Sequence, residues 1–212
     1  PGGAERCVGD SITAIIWVEP TPRVVATPAQ DTICDDEVTD ILLTSPTKAT
    51  LPVQFDYYVT AENPDSVNIT TVSGRTGLLR GESIQEQIDN LSDTAQQVTL
   101  RIWPYTVTPG GAERCVGDSI TAIIWVEPTP RVIATPSQDT ICDDEIADIL
   151  LTSPTKATLP VQFDYYVQPE FPDSVSITSI SGRTGLLRGD RAQEQIDNLS
   201  DTAQQVTLRI WP

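Results

Sequence analysis

The stretch Val98–Pro130, VTLRIWPYTVTPGGAERCVGDSITAIIWVEPTP, decides the fold that we expect for this chain. It contains two runs in which apolar and polar residues alternate, Val98–Thr108 and Ser119–Glu127. Such alternation, rich in Val, Ile, Thr and aromatic residues, is typical of half-buried β-strands. Pro109-Gly110-Gly111 between the runs favours a turn, because glycine reaches positive φ without a steric penalty. The stretch therefore predicts a long β-hairpin.

This hairpin straddles the seam between two near-identical copies. Residues 1–104 and 109–212 differ at 13 positions, with a period of 108. That period is too long for a solenoid and indicates whole domains in series. Each copy carries about seven runs with strand character at intervals of about 10–15 residues, as in an antiparallel sandwich. The expected fold class is all-β, with tandem antiparallel β-sandwich domains in a linear array.

Two sets of domain boundaries fit the repeat. In the favoured set, residues 1–22 are the last strand of a preceding repeat plus a linker, 23–130 form a complete repeat, and 131–212 form a second repeat that lacks its last strand. In the alternative, the domains are 1–104 and 109–212. The stiff Pro20-Thr21-Pro22 segment is a better linker than the alternating run through Tyr105, although proline within that run argues the other way.

Some shorter segments carry individual predictions. Asp10–Glu19 is expected to be a strand, and Ala29–Glu37 and Gly74–Gly81 are expected to be loops. Ser83–Leu91 has apolar residues at helical spacing, yet over so few residues it fits equally well a turn leading into an edge strand.

The net charge of −17 restricts the partners of the protein. Phosphate backbones and anionic lipid surfaces attract Lys and Arg, so we expect no nucleic-acid partner and no direct membrane insertion. No run approaches the length of apolar sequence that a spanning helix needs. The composition, low in Lys and rich in Thr, Val, Ile, Pro and Asp, is that of an extracellular β protein.

Four cysteines, at positions 7, 34, 115 and 142, are candidates for structural disulfides. There is no CxxC pair and no histidine, which makes a zinc site a poor interpretation. Two pairings are open. Cys34–Cys115 would close one complete repeat, whereas Cys7–Cys34 with Cys115–Cys142 would join the strands that flank each Pro-Thr-Pro segment.

Acidic clusters are the only candidate metal ligands. Asp35-Asp36-Glu37 and Asp143-Asp144-Glu145 each follow a cysteine, and Asp118 could converge on them. Loop carboxylates with backbone carbonyls can bind Ca²⁺, so calcium is the one cofactor considered, against the simpler reading of a solvated acidic turn. Without histidine, an activated thiol or facing carboxylates, no catalytic residue is assigned and no enzyme is expected.

A group of motifs then carries a resemblance. Thr32-Ile33-Cys34-Asp35-Asp36, Tyr105-Thr106-Val107-Thr108-Pro109, Cys115-Val116-Gly117-Asp118 and Val126-Glu127-Pro128-Thr129-Pro130 resemble, in order and spacing, the PKD-like repeat of giant Bacteroidota cell-surface adhesins. The resemblance covers the whole chain. It implies an Ig-like (PKD-like) sandwich and a filament of many repeats whose partners are neighbouring repeats. It also implies type IX secretion, a cell-surface location, and adhesion to surfaces or polysaccharide in attachment or gliding motility.

The same comparison suggests covalent modification. Asp followed by Ser or Thr and a small or apolar residue resembles the O-glycosylation signal of secreted Bacteroidota proteins, although strands often begin this way. The candidate hydroxyls are Ser11, Thr32, Ser66, Thr94, Ser119, Thr140, Ser174 and Thr202.

Two functions therefore stand before the structure is considered. The first is a structural and adhesive repeat of a long bacterial cell-surface filament. The second is a carbohydrate-binding module of a secreted enzyme, in which Trp17, Trp103, Trp125 or Trp211 would stack on sugar rather than pack in a core.

Overall fold

The computed structural model describes residues 9–69, 74–177 and 182–212, and these residues form β-strands around two apolar cores. The buried and half-buried members of the first core lie between Val24 and Val126, and those of the second lie between Val132 and Ile210. The expected all-β class is confirmed. Within the described ranges the helical residues are confined to two short 3₁₀ turns, Pro64–Ser66 and Pro172–Ser174, and neither could cross a membrane.

The first sandwich consists of two layers around its core. One layer has the strand order β2-β12-β10-β5-β7, with β11 also paired to β10, and the other comprises β1-β4-β8 and β3-β9-β6. Its strands are β1 (Val25–Thr27), β2 (Gln30–Ile33), β3 (Glu37–Val38), β4 (Ile41–Thr44), β5 (Val53–Ala61), β6 (Val67–Ile69), β7 (Gly74–Leu79), β8 (Ser83–Ile84), β9 (Gln87–Asn90), β10 (Gln96–Val107), β11 (Glu113–Val116) and β12 (Ile120–Val126).

The second sandwich repeats this plan with fewer strands. Its layers have the orders β13-β14-β18-β16 and β17-β15-β19. The strands are β13 (Ile133–Thr135), β14 (Glu145–Thr152), β15 (Gln162–Pro169), β16 (Val175–Ile177), β17 (Arg183–Leu187), β18 (Arg191–Asn198) and β19 (Val206–Trp211).

The predicted hairpin is present as the centre of the first sandwich. β10 pairs antiparallel with β12 from Gln96↔Val126 to Ile102↔Ile120. Every second residue from Val98 to Ile102 and from Ala122 to Val126 points into the core and is fully buried, as the alternation predicts. These inward side chains are Val98, Leu100, Ile102, Ala122, Ile124 and Val126.

Pro104 lies inside β10, a central strand, although proline is normally restricted to sheet edges. The pairing explains why it is tolerated. β10 exchanges its partner here, from β12 at Ile102 to β11 at Tyr105. The carbonyl of Pro104 accepts the amide of Gly117 in the gap between those strands. In a strand the N–H and C=O of one residue point to the same side, so the missing N–H falls where no ladder bond is needed.

The predicted strand over Asp10–Glu19 is wrong for the described structure. Residues 9–24 have no regular secondary structure, and Ile12 and Ile16 are 96% and 83% exposed. The same ten-residue sequence, DSITAIIWVE, recurs at 118–127, where it contains β12. Identical local preference thus gives a strand only where β10 lies beside it, because strand formation depends on packing and ladder partners.

Two predicted loops also contain strands. Within Ala29–Glu37, β2 forms because it pairs in parallel with β12, a long-range contact that local sequence does not show. Within Gly74–Gly81, β7 pairs with β5 across a bulge. Gly77 has a φ of +76°, and its amide donates to the Asp56 carboxylate at 2.8 Å, so the glycines that indicated a loop instead shape a bulged strand. Ser83–Leu91 contains strands β8 and β9 and no helix.

One substitution between the copies changes strand continuity. In the first sandwich β3 and β4 are interrupted at Thr39, whose hydroxyl accepts the Glu86 amide at 3.0 Å and donates to the Ile84 carbonyl. In the second sandwich Ala147 occupies this position, and β14 runs unbroken against β18. A side-chain hydroxyl that binds backbone groups competes with the ladder, and its removal leaves the ladder regular.

The duplicated segment gives a controlled test of context. Ile124→Ala removes a fully buried side chain, so we expect it to lower the free energy of unfolding of the first sandwich by about 2–5 kcal/mol. Ile16→Ala makes the same change in the same local sequence at an exposed position, and we expect no measurable loss. Denaturant unfolding of the dilute protein measures both. Equal losses would contradict the assigned pairing of β12.

Candidate functional site at the junction between the two cores

The segment Glu127–Arg131 leaves β12 and enters the second sandwich, and its contacts there are specific. The buried Glu127 carboxylate accepts the Thr158 amide, with N–O distances of 2.9 and 3.1 Å to its two oxygens, and also accepts the Thr158 hydroxyl. The Arg131 amide donates to the Thr155 hydroxyl at 3.0 Å. A buried carboxylate is stable only when such donors satisfy it. The linker is therefore fixed to the second sandwich at two points.

Contacts from the first sandwich fix the same segment from the other side. The Arg131 guanidinium lies 2.6 Å from the Asp93 carboxylate, and the Thr129 hydroxyl donates to Asp35 at 2.5 Å. Backbone groups also join the sandwiches, since the Lys156 amide donates to the Asp93 carbonyl at 2.6 Å and the Ala95 amide donates to the Lys156 carbonyl at 3.1 Å. An exposed ion pair contributes only about 0–1 kcal/mol, so the backbone pairing is the more rigid link.

The segment that precedes the first sandwich repeats the Glu127 arrangement. The Thr50 amide donates to the Glu19 carboxylate at 2.9 Å, as Thr158 does to Glu127, and the Arg23 amide donates to Thr47 at 2.9 Å. The chain then passes so close to Gly117 that a Cβ there would lie 1.9 Å from the Pro22 carbonyl oxygen. Only glycine fits this contact, which explains Gly117 in the C-x-G sequence.

Of the predicted metal ligands, those in the first acidic loop serve mainly as acceptors for the protein itself. Asp35 accepts the Asn90 amide at 2.7 Å as well as the Thr129 hydroxyl, and Glu37 accepts the Cys34 amide at 2.8 Å. In the second loop, Asp143 accepts the Asn198 amide and Glu145 the Cys142 amide. These carboxylates, which were predicted to bind a cation, accept hydrogen bonds from backbone amides at turns, and this role is structural.

Asp118 does not join this cluster. β10–β12 pairing places Asp118 beside the Ile102 end of β10, whereas Asp35 follows β2 at the Gln96 end. In the described part of the chain, no three Asp, Glu or Cys side chains are close enough together to hold a metal ion. The prediction that Asp118 converges on Asp35, Asp36 and Glu37 is therefore wrong. Calcium binding by the two loops stays a prediction.

In each sandwich one carboxylate of the acidic loop lies beside a carboxylate of a neighbouring strand, Asp89 of β9 or Asp197 of β18. Burial, a hydrogen bond with Asp36 and the charges of Asp36 and Asp35 raise the pKa of Asp89. In the second sandwich a hydrogen bond with Asp144, followed by burial, raises the pKa of Asp197. Asp36 and Asp144 also have φ values of +62° and +64°, in the left-handed region that few residues other than glycine, Asn and Asp adopt. Each pair therefore favours sharing one proton.

The structure describes three of the four cysteines that were predicted to form disulfides. Cys34, Cys115 and Cys142 are free thiols, and Cys7 lies outside the described residues. The Cys115 amide donates to Thr106, whereas Cys34 follows Ile33, which lies beside Val126 and hence near Gln96. Ten strand residues, about 33 Å, separate those ends. A disulfide needs Cα atoms within about 7 Å, so Cys34–Cys115 cannot form within one sandwich of this fold.

The candidate glycosylation sites differ in access. Ser11, Thr32, Ser119, Thr140 and Thr202 are exposed, whereas Ser66, Thr94 and Ser174 are half-buried. Modification stays a prediction at all eight.

Buried polar pairs inside the sandwiches were missed by sequence reasoning. Tyr57 donates to Glu86 at 2.6 Å, and Tyr165 donates to Glu194 at 2.8 Å. Burial and then this hydrogen bond raise the pKa of Tyr165 to about 12, and the same causes raise the pKa of Tyr57 further. Both carboxylates lie within sandwich interiors, at 1% exposure, away from any substrate approach. Their position indicates a structural role.

The Asp36–Asp89 pair gives a pH-dependent prediction. A raised native pKa means that protonation of Asp89 favours the folded state, so this contribution is present at acid pH and is lost as pH rises through the raised pKa. Asp89→Asn should therefore raise the melting temperature at neutral pH, with a gain that shrinks towards pH 3. Asn can still accept from Asn68 and donate to Asp36. Asp65→Asn, at an exposed aspartate outside the loop, is the matched control, and an equal gain there would contradict the assignment.

Comparison with known proteins gives one family match and several similar solved structures. Residues 31–130 match the model of the PKD-like domain family. No curated protein matches the chain. Among solved structures, it is similar to the calcium binding domain CBD12 of CALX1.1, at 11% identity and a TM-score of 0.39, over 88% of this chain and 80% of that one. It is also similar to a chaperone–tip adhesin complex of CFA/I fimbriae, at 11% identity and a TM-score of 0.33, over 88% and 98%. Residues 31–130, which include the central hairpin, are thus similar to the PKD-like domain family.

Proposed function

We propose that this chain is a structural and adhesive repeat of a long extracellular filament, in which the sandwiches act as spacers joined by rigid junctions. The observation that carries the proposal is the linker Glu127–Arg131. It is bound on one side by Asp35 and Asp93 and on the other by Thr155 and Thr158. A flexible tether between independent domains has no need of such contacts.

The composition of the surface supports the same role. A net charge of −17 keeps long arrays soluble and apart, and few exposed lysines are present to attract anionic surfaces. The PKD-like match supports a generic extracellular adhesive or structural domain. A cell-surface adhesin of gliding bacteria, exported by type IX secretion, is supported by the motif resemblance alone. We propose no catalytic activity.

Rigidity at the junction can be measured directly. ¹⁵N relaxation of the intact chain should show both sandwiches tumbling as one elongated body. Glu127→Ala combined with Asp93→Ala removes contacts on both sides of the linker, so we expect the two sandwiches to acquire separate, shorter correlation times. Glu19→Ala is the matched control, because it removes the same Glu–Thr contact without touching the junction. Independent tumbling in the unmodified chain would refute the spacer model.

A second candidate, a carbohydrate-binding module, is favoured by one observation. Tyr58 and Trp103 form an edge-to-face pair with centroids 5.7 Å apart, and Tyr166 and Trp211 repeat it at 5.6 Å. These rings lie on the outward side of their strands, and Tyr58 is 41% exposed, so Trp103 and Trp211 do not pack in a core. Exposed aromatic rings on a sheet can stack against sugars.

Polysaccharide titration separates the two functions. For a spacer we expect no saturable binding by the isolated chain and no effect of Trp103→Ala. Saturable binding that is lost in Trp103→Ala but kept in Trp125→Ala, whose ring lies on a different strand, would establish the second function and exclude a pure spacer.

A further inference from the structure

The sheet β2-β12-β10-β5-β7 of the first sandwich ends in two edge strands, β2 and β7. Edge strands present backbone N–H and C=O groups on their open side, and such groups can pair with another chain. Apolar side chains lie beside both edges on the outward face, since Leu79 of β7 is 49% exposed and Trp125, the partner of Thr32 in β2, is half-buried. Both edges therefore favour strand pairing unless their backbone groups are already occupied.

A carboxylate occupies the open side of β2. The Ala29 and Ile33 carbonyls accept amides of β12, so the intervening N–H of Thr32 points away from β12. That N–H donates to the Asp31 carboxylate at 2.9 Å. An incoming strand would have to place a carbonyl oxygen where the Asp31 oxygen already lies, and the two oxygens would repel each other.

A second carboxylate occupies the open side of β7. Leu79 directs both of its backbone groups away from β5, because its carbonyl accepts the Glu82 amide at 3.1 Å and its amide donates to the Glu82 carboxylate at 2.7 Å. The bulge at Gly77 also twists this strand, which hinders flat pairing with a neighbour. One glutamate thus binds both backbone groups of Leu79.

The second copy keeps both contacts. The Thr140 amide donates to Asp139 at 2.8 Å, and the Leu187 amide donates to Asp190 at 2.8 Å. The contact at Leu187 persists through a substitution, because Asp190 replaces Glu82 and is one of the 13 differences between the copies. A shorter side chain thus reaches the same amide, and the carboxylate is retained where the residue is not.

The opposite layer of the first sandwich is protected in another way. The strands at the ends of its two sheets, β1, β8, β3 and β6, have only two or three residues each. Very short edge strands offer too few backbone groups for stable pairing. The carboxylate contacts therefore lie on β2 and β7, the longer edge strands, where protection is needed.

We propose that Asp31 and Glu82, with the matching Asp139 and Asp190 in the second copy, cap these backbone amides and so prevent two copies of this chain from pairing side by side. The inference goes beyond the spacer function, because it concerns lateral contacts rather than the junction. The net charge of −17 also keeps copies apart, but salt screens that repulsion, and the Debye length falls to about 3 Å at about 1 M. The caps act at hydrogen-bond distance and therefore remain effective in high salt.

Sedimentation velocity of the intact chain in about 1 M NaCl, over a series of protein concentrations, tests the proposal. One variant lacks all four caps and carries Asp31→Ala, Glu82→Ala, Asp139→Ala and Asp190→Ala. The matched control carries Asp31→Asn, Glu82→Gln, Asp139→Asn and Asp190→Asn, which removes the same charges but keeps a carbonyl oxygen for each amide. We expect the alanine variant to associate at a concentration at least about tenfold lower than the control, and the control to behave as the unmodified chain does.

Hydrogen exchange locates the new contacts. In the alanine variant, exchange at Thr32 and Leu79 should slow as the protein concentration rises, because an added strand then covers these amides. Denaturant unfolding at low concentration checks that the variant is folded. If it is not, Asp31→Ala with Asp139→Ala, which leaves both Glu82 and Asp190 turns intact, repeats the comparison against the two asparagine substitutions.

Three outcomes would overturn the proposal. The alanine variant could sediment as the unmodified chain does, the amide control could associate as strongly as the alanine variant, or the slowed exchange could lie away from Thr32 and Leu79. The second outcome would assign the effect to charge alone. The spacer function does not depend on any of these results, because it is tested by the rigidity of the junction.

Discussion

The pairing of β12 with β10 is the contact on which the rest of the first sandwich depends. It buries Ala122, Ile124 and Val126 against the core and gives β2 its only ladder partner among the described residues. Where that strand is not in place, in the second sandwich, the inward side of β19 is half-exposed and residues 138–141 have no strand. One strand thus organises both edges of its sheet. The first sandwich therefore depends on contacts between residues that are nearly a hundred positions apart in sequence.

Local pattern predicted the elements whose partners are close in sequence. The central hairpin has its signals within one stretch of sequence, and it was predicted correctly. β7 was missed because its glycines indicated a loop. The errors at β2 and at residues 10–19 share another cause, since each is decided by a distant partner. The two copies of DSITAIIWVE show this most clearly, because no reading of that sequence alone could assign it two structures.

Sequence signals were weaker for the junction between the sandwiches than for the two acidic loops, which were predicted to bind a metal. Asp35 was singled out as a cation ligand, but its two oxygens are occupied by the Asn90 amide and the Thr129 hydroxyl. No motif contains Asp93, Arg131 and Thr158. Ordinary polar residues form the junction, and their contacts depend on which surfaces of the folded sandwiches face each other. The one available signal was the Glu-Pro-Thr-Pro-Arg run, which occurs before each sandwich and fixes the linker in the same way.

The route of the chain through the first sandwich has a mechanical consequence. The chain enters at Pro22, beside Gly117, and leaves along β12 at the opposite end, past Val126. Tension applied through the two linkers therefore acts along β12, while its hydrogen bonds to β10 lie across that direction. All of those bonds are loaded together in shear, and none can be peeled open singly from a free end. The first sandwich therefore resists pulling most strongly along the line that joins its two linkers.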